Sequence, residues 1–273
     1  MNIINIISSF LLFIFITLIL FIILAIVGKT TPDSIVTALL SEEIRFAIKL
    51  SLGTASIATI MGAIIGIPSA YYLARYDFKG KIVVDSLIDL PVILPPLVSG
   101  FALLVFFGDT IIGRTISDNI FNIIFSPAGI VVAQFFVASP FIIKTSKAIF
   151  EEIDEKYEYT AQSLGLSKTK SFFKIVLPMA KNGVMAGIIL AWARAMGEFG
   201  ATLMLAGATK MKTETLPIAV FLNISIGNVD LALSIAFIFL VMAIIIIMSI
   251  KTIMKMNGDM VKLCKLKKSL KKL

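Results

Sequence analysis

The chain has 273 residues, of which 58% are hydrophobic and only 15% are charged, and its mean hydropathy is +1.00. Soluble domains carry about 25% charged residues, so this composition excludes a soluble globular protein. The chain contains no His and a single Cys, Cys264, which excludes an intrachain disulfide, a His/Cys metal cluster and imidazole acid–base chemistry.

Apolar stretches recur six times along the chain, and a transmembrane helix needs about 20 such residues. They predict an all-α membrane protein whose six transmembrane helices cover the ranges 4–27, 44–74, 85–107, 127–149, 182–206 and 229–253. The third stretch is interrupted by Pro91, Pro95 and Pro96. Irregular backbone is tolerated at membrane depth only against protein or water, so we expect this span to face the interior of the bundle.

The chain is expected to form one domain that can be divided into three parts. The first transmembrane helix and an outer connection take residues 1–43, and the core takes residues 44–253. The core contains a polar loop at 151–181, and a basic tail follows at 254–273.

The formal net charge is +8, and most of the 25 Lys and Arg residues fall in the segments 75–81, 144–181 and 251–272. The positive-inside rule then places these segments, and with them the N and C termini, in the cytoplasm. We expect the basic tail to contact anionic lipid headgroups, so that the chain has the lipid bilayer and no nucleic acid as a partner.

The first span ends in Gly28-Lys29-Thr30, which matches the end of a phosphate-binding P-loop. Ile23 stands where the first glycine of that motif belongs, and the preceding residues form the predicted span. We therefore predict that this chain cannot hydrolyse ATP by itself.

Two residue pairs in the second and third spans have helical spacing. Gly62 and Gly66 allow a second helix to approach closely, either as packing within the subunit or as a moving contact near a pathway, with Pro68 as a kink. Asp85 and Asp89 share one helical face. They are candidate metal ligands or proton carriers, or they begin the span at the wet interface, where the helix dipole favours them.

The polar loop at 151–181 predicts two short helices. A helix-compatible run at 154–163 leads into Gly165, a C′ residue by its position. Ser167 is a candidate N-cap for a second helix over 168–176, and Pro178 is expected to stop it. The loop is therefore predicted to form a compact knob on the membrane surface.

The fifth span carries a charged pair, Arg194 and Glu198, near its predicted middle. The residues lie four apart on one helical face, so they can form an ion pair. The pair either holds helices together or faces a pathway and shapes the passage of an anion. Gly197 and Gly200 would allow close packing of the backbone. The hydroxyls of Ser99 and Thr202 are candidate hydrogen-bond donors to the same anion.

Two stretches resemble a known family. Ala161, Gly165 and the run Ile175-x-Leu177-Pro178 resemble the EAA loop of binding-protein-dependent ABC importer permeases, although Thr160 replaces the first alanine and Glu158 stands one place early. The run from Ala193 to Thr202 resembles the oxyanion permeases for molybdate, tungstate and sulfate. Ala201-Thr202, the continuation to Gly207 and the run at 212–217 are more similar to the molybdate/tungstate branch. The resemblance is densest over 151–231.

The resemblance implies a permease subunit with the type I ABC importer fold in a prokaryotic plasma membrane. Two copies would form one pathway for molybdate or tungstate, an extracellular oxyanion-binding protein would deliver the anion, and two ATP-binding subunits would dock on the cytoplasmic loops. The chain itself would hold no cofactor, metal or catalytic residue, since ATP-Mg belongs to the partner ATPase. The loop positions that would carry the coupling are Glu158, Thr160, Ala161, Leu164, Gly165, Leu177 and Pro178. Those of the pathway are Ser99, Arg194, Glu198, Gly200 and Thr202.

Three alternatives stay open at this point. A sulfate/thiosulfate permease of the same family differs only in cargo. A secondary transporter driven by an ion gradient would show inverted repeats and broken helices in corresponding halves, and no matched pair is visible in the sequence. An intramembrane enzyme would need a reactive cluster, for which only Asp85 and Asp89 are available.

Overall fold

The computed structural model describes residues 3–119 and 121–270, and within them the backbone forms 13 α-helices, one π-helical segment and no strand. The helices are α1 (Ile3–Lys29), α2 (Pro32–Leu40), α3 (Glu42–Arg75), α4 (Lys81–Ile93), α5 (Pro96–Asp109), α6 (Ile111–Asn119), α7 (Pro127–Glu152), α8 (Lys156–Ser163), α9 (Lys168–Ser171), α10 (Leu177–Met196), α11 (Gly200–Ala206), α12 (Leu216–Ser225) and α13 (Val229–Leu270). The all-α prediction is confirmed.

Five stretches of helix in the described part of the chain are long and apolar enough to cross a membrane, and a bent pair makes a sixth span. The five begin at or near the predicted positions except the one that contains α10. The connection predicted between the first two spans contains a short helix, α2, and another short helix, α6, follows α5. The side chains of the basic tail, including Cys264, lie outside the residues whose side chains the structure describes.

The third predicted span is irregular, as its prolines indicated, and it consists of the two helices α4 and α5. The chain turns by 113° between α4 and α5. Leu94 is extended, with φ −65° and ψ 135°, because a residue that precedes proline is pushed out of the helical region. Pro96 then begins α5, where its missing N–H costs no hydrogen bond.

The fifth predicted span is displaced toward the N-terminus of the chain. A continuous helical stretch runs from Lys168 to Met196, and α11 is a separate short helix. Pro178 does not stop the helix, contrary to the prediction. The segment Phe172–Val176 is π-helical, and Leu177 N–H donates to the carbonyl of Phe172. This wide turn lies directly before the proline and accommodates its missing N–H, so the helix continues.

The centre of the bundle is formed by α3, α7 and α10, which pack against one another through glycines. A Cβ on Gly66 would lie 3.1 Å from Ile143 Cγ1 of α7, and a Cβ on Gly183 would lie 2.1 Å from Ile149 Cγ1. Gly62 likewise faces Ile142 of α7. The glycine pair of the second span therefore serves packing within one subunit, and Pro68 lies inside the continuous helix α3.

Candidate functional site: the polar loop and the helix breaks

The polar loop folds as the predicted knob, with its turn set by local hydrogen bonds. Gly165 has φ +90°, and its N–H donates to Gln162 O at 2.9 Å while Leu166 N–H donates to Ala161 O at 3.1 Å. These two bonds are a Schellman motif, which needs a residue without Cβ strain at this position. Ser167 Oγ accepts from Lys170 N–H at 3.4 Å. The C′ glycine and the N-cap serine are confirmed, although the first helix starts at Lys156.

The knob presents one face to solvent. Tyr157, Tyr159 and Thr160 are exposed, and Leu164 is 81% exposed. In α8 only Glu158 and Ala161 are buried. Exposed large apolar side chains on a short polar helix are typical of a protein–protein contact.

Glu158 points into the protein. Its Oε1 accepts from Arg75 Nε at 2.7 Å, its Oε2 accepts from the Tyr71 hydroxyl, and the Arg75 and Glu158 side chains are only 7% and 5% exposed. Arg75 also donates to Phe150 O at 2.7 Å and to Ile153 O at 2.9 Å. These carbonyls end α7, where a cation is favoured by the helix dipole.

Arg75 was not predicted from the sequence to be a functional residue. It is the last residue of α3, in the run Tyr-Tyr-Leu-Ala-Arg-Tyr, and it was counted only as one of the cytoplasmic positive charges. A signal was present, because an arginine at the end of a long apolar helix is a natural partner for an acidic residue on the neighbouring loop.

The two helix breaks, α4–α5 and α10–α11, meet in space. A Cβ on Gly200 would lie 2.9 Å from Pro96 Cβ and 3.0 Å from Leu97 N, and a Cβ on Gly100 would lie 2.6 Å from Ala201 Cα. The start of α5 and the start of α11 therefore pack backbone against backbone. Only glycine permits this distance, so Gly200 fills the close-packing role that the sequence suggested.

Arg194 and Glu198 form the predicted ion pair, with 2.7 Å between Nη1 and Oε2. Arg194 lies in the last turn of α10 and not in the middle of a span, because α10 ends at Met196. Glu198 follows in the break, where its Oε1 accepts from Ala201 N–H at 2.7 Å and so caps the start of α11. The side chain of Glu198 is 1% exposed and that of Arg194 is 29% exposed.

A cleft of about 300 Å³ opens at the junction of the breaks, lined by Pro95, Pro96, Leu97, Arg194, Gly197, Glu198, Phe199 and Gly200. Three of the predicted pathway residues therefore border one cleft. The other two, Ser99 and Thr202, are fully buried, and neither hydroxyl has a hydrogen-bond partner among the residues that the structure describes.

Asp85 and Asp89 lie on one face of α4, as predicted, but they face lysines and not a metal. Lys147 Nζ donates to Asp85 Oδ2 at 2.7 Å, and Lys144 pairs with Asp89. No group of three or more His, Cys, Asp or Glu side chains that could hold a metal ion is found in residues 3–119 and 121–270 where side chains are described. Both carboxylates are therefore paired with lysines of α7.

A second acidic site, also missed in the sequence, lies in the loop between α11 and α12. Glu214 is fully buried, and its Oε2 accepts from Met211 N–H at 3.3 Å. Burial and the neighbouring Glu43 raise the pKa of the Glu214 carboxyl to about 7. Lys210 pairs with Glu43 at 2.8 Å.

Membrane-spanning helices, two helix breaks that meet at a charged cleft and a protruding helical knob define a transport subunit of the membrane. The chain belongs to the family of binding-protein-dependent transport system inner membrane components, whose profile matches residues 62–254. It is a multi-pass permease subunit of an ABC importer in a prokaryotic plasma membrane, and ATP hydrolysis is the work of a separate subunit.

Relatives and solved structures agree with this family. A probable molybdenum ABC transporter permease of Haloferax volcanii is 37% identical over 81% of this chain and 79% of its own. The molybdate/tungstate permease of Pyrococcus furiosus is 43% identical over 59% of each chain, and a sulfate permease of Escherichia coli is 32% identical over 80% and 79%. A bacterial ABC transporter for the import of alginate has the same fold, with a TM-score of 0.74 at 15% identity over 92% of this chain and 95% of its own.

Proposed function

We propose that this chain forms half of the translocation pathway of a molybdate/tungstate importer, and that two copies enclose the pathway between them. Relatives with these substrates in their names support the choice of cargo, as does the run from Ala193 to Thr202.

The observation that carries this proposal is the partial exposure of Arg194 at the cleft. Its side chain is 29% exposed in the single chain, beside apolar helices. A charged group in contact with lipid is costly, so such groups face water-filled cavities or other protein. A second copy that covers the cleft from outside provides this environment, and we infer that the pathway lies there.

The cleft suits a doubly negative oxyanion. The N-terminus of α5, a helix of 14 residues, opens toward the cleft and contributes partial positive charge. Glu198 partly neutralises Arg194, which keeps the attraction moderate, and a moderate site lets the ion leave again. Movement of α5 away from α11 would release two further donors, the buried hydroxyls of Ser99 and Thr202.

The knob is the proposed docking segment for the ATP-binding subunit, one for each copy of the chain. Thr160, Leu164 and Gly165 lie on its exposed side, whereas Glu158 and Ala161 hold α8 to the core. Leu177 and Pro178 lie where the knob joins α10. In this arrangement both termini are cytoplasmic, ATP-Mg is bound by the partner and the oxyanion-binding protein docks on the outer face.

Reconstitution tests this function. The chain is placed in proteoliposomes with its ATPase and binding protein, and uptake of molybdate, tungstate and sulfate is measured with and without ATP. We expect ATP-dependent uptake of the first two. The similarity to sulfate permeases makes sulfate the second candidate substrate, and uptake of sulfate alone would identify the protein as a sulfate importer. Uptake without ATPase, driven by an ion gradient, would refute the importer.

A further inference from the structure

A buried polar cluster at the base of the knob is here called the Arg75 node. It consists of the Arg75, Glu158 and Tyr71 side chains with the carbonyls of Phe150 and Ile153. Arg75 ends α3, Glu158 lies in α8, and the two carbonyls end α7. All of these bonds are between 2.5 and 2.9 Å, and the ion pair is nearly inaccessible to water.

Aromatic rings pack around the Arg75 node. The ring of Tyr71 lies 4.6 Å from that of Phe172 and 5.8 Å from that of Phe150, measured between centroids. Phe172 belongs to the π-helical segment that leads into α10. The node therefore joins the knob to α3, α7 and the start of α10 at one point, and it does so with a desolvated charge pair that cannot be pulled apart without leaving a buried charge.

A rigid path continues from the node to the cleft. Glycine contacts hold α3 and α10 against α7 along their length. At the far end of this unit Gln134 Nε2 of α7 donates to Ala195 O at 3.0 Å, one residue after Arg194. A displacement of α8 that keeps the node intact must therefore move the helices that border the cleft.

We propose that Arg75 is the positioning residue that makes α8 move as one body with α3 and α7. Its guanidinium, with a fixed fork of donors, bonds to acceptors on two elements at once, and Ala161 is the other buried residue of α8 besides Glu158. Force applied to the exposed face of the knob reaches the cleft through this residue. The proposal rests on the knob being the docking segment of the ATPase.

The first experiment uses Arg75→Lys in the reconstituted importer. Lysine keeps the charge but cannot bond to Glu158, Phe150 O and Ile153 O together. We expect the amount of copurified ATPase and the rate of ATP hydrolysis to change less than twofold, while anion uptake falls at least fivefold, so that more ATP is hydrolysed per anion imported. Glu158→Gln is the milder second variant, and Arg45→Lys, at an exposed position near the start of α3, is the matched control.

An effect on folding alone would lower docking, hydrolysis and uptake in proportion and leave the ratio of ATP to anion unchanged, which would overturn the linkage. A wild-type complex without ATP-dependent uptake would overturn the proposed function, and the linkage with it.

A second measurement needs no ATPase. Spin labels are placed at Leu164→Cys on the knob and Ile64→Cys on the exposed side of α3, in a Cys264→Ser background. The distance distribution between them is expected to be narrow and to become at least twice as wide with Arg75→Lys. A distribution that stays narrow in that variant would show that other contacts hold the knob, and the proposal would fail.

Discussion

The Arg194–Glu198 ion pair could have a structural role or a role in transport, and a double substitution distinguishes the two. Arg194→Met alone leaves the Glu198 carboxylate 1% exposed and without its cation. Removing one partner of a buried pair costs about 3–5 kcal/mol. Because Arg194 keeps 29% of its surface in contact with solvent, water compensates in part, and we expect the lower end, about 3 kcal/mol.

The double variant Arg194→Met/Glu198→Gln removes both charges and keeps the cap, since the amide oxygen of glutamine still accepts from Ala201 N–H. Replacing a buried pair by neutral residues of similar volume is close to neutral in stability. We therefore expect the melting temperature in detergent to fall in the single variant and to recover in the double variant.

Uptake is expected to follow a different pattern. If Arg194 attracts the anion, both variants lose uptake at least tenfold, although the double variant is as stable as wild type. The assay is initial uptake in proteoliposomes, normalised to assembled complex, with Glu198→Gln alone as the control for the cap. Recovery of uptake together with stability in the double variant would refute the pathway role and leave the pair as a purely structural contact.

Three further predictions follow from the same geometry. Gly200→Val places a Cβ 2.9 Å from Pro96 Cβ, so the two helix breaks are forced apart. We expect the free energy of unfolding to fall by about 1–3 kcal/mol and most uptake to be lost. A normal melting temperature would contradict the close packing. Leu164→Asp puts a charge on the exposed side of the knob and should reduce copurified ATPase at least tenfold with normal membrane yield; undiminished copurification would place the docking surface elsewhere. Burial and Glu43 raise the pKa of the Glu214 carboxyl from its ordinary value of 4.5 to about 7. Between these pH values the folded state holds a proton that the unfolded state has lost, so stability should fall by up to about 3 kcal/mol as the pH rises from 4.5 through 7. Glu214→Gln should flatten the dependence of the melting temperature on pH between 5 and 8, and an unchanged slope would exclude this carboxyl as its source.

The knob and the breaks differ in how far the sequence predicted them. The turn at Gly165 and the cap at Ser167 were predicted correctly because their hydrogen bonds reach only three to five residues along the chain. Pro178 was misjudged because its effect depends on the turn before it, and the π-helical segment at Phe172–Val176 has no distinct sequence signature. The position of Arg194 was misjudged for a related reason: hydropathy does not distinguish one apolar helix from two separated by a three-residue break.

The sequence by itself determined the membrane class, the apolar stretches and the caps of the knob, because transfer of apolar residues into lipid and short-range hydrogen bonds depend on neighbouring residues alone. Only the tertiary structure decided that Glu158 pairs with Arg75, 83 residues away, and that Gly200 of one break rests on Pro96 of the other. A buried charge pairs with whichever opposite charge the packing of helices brings to it, and two backbones approach closely where a glycine of one helix faces the other helix. Both depend on how the bundle is assembled.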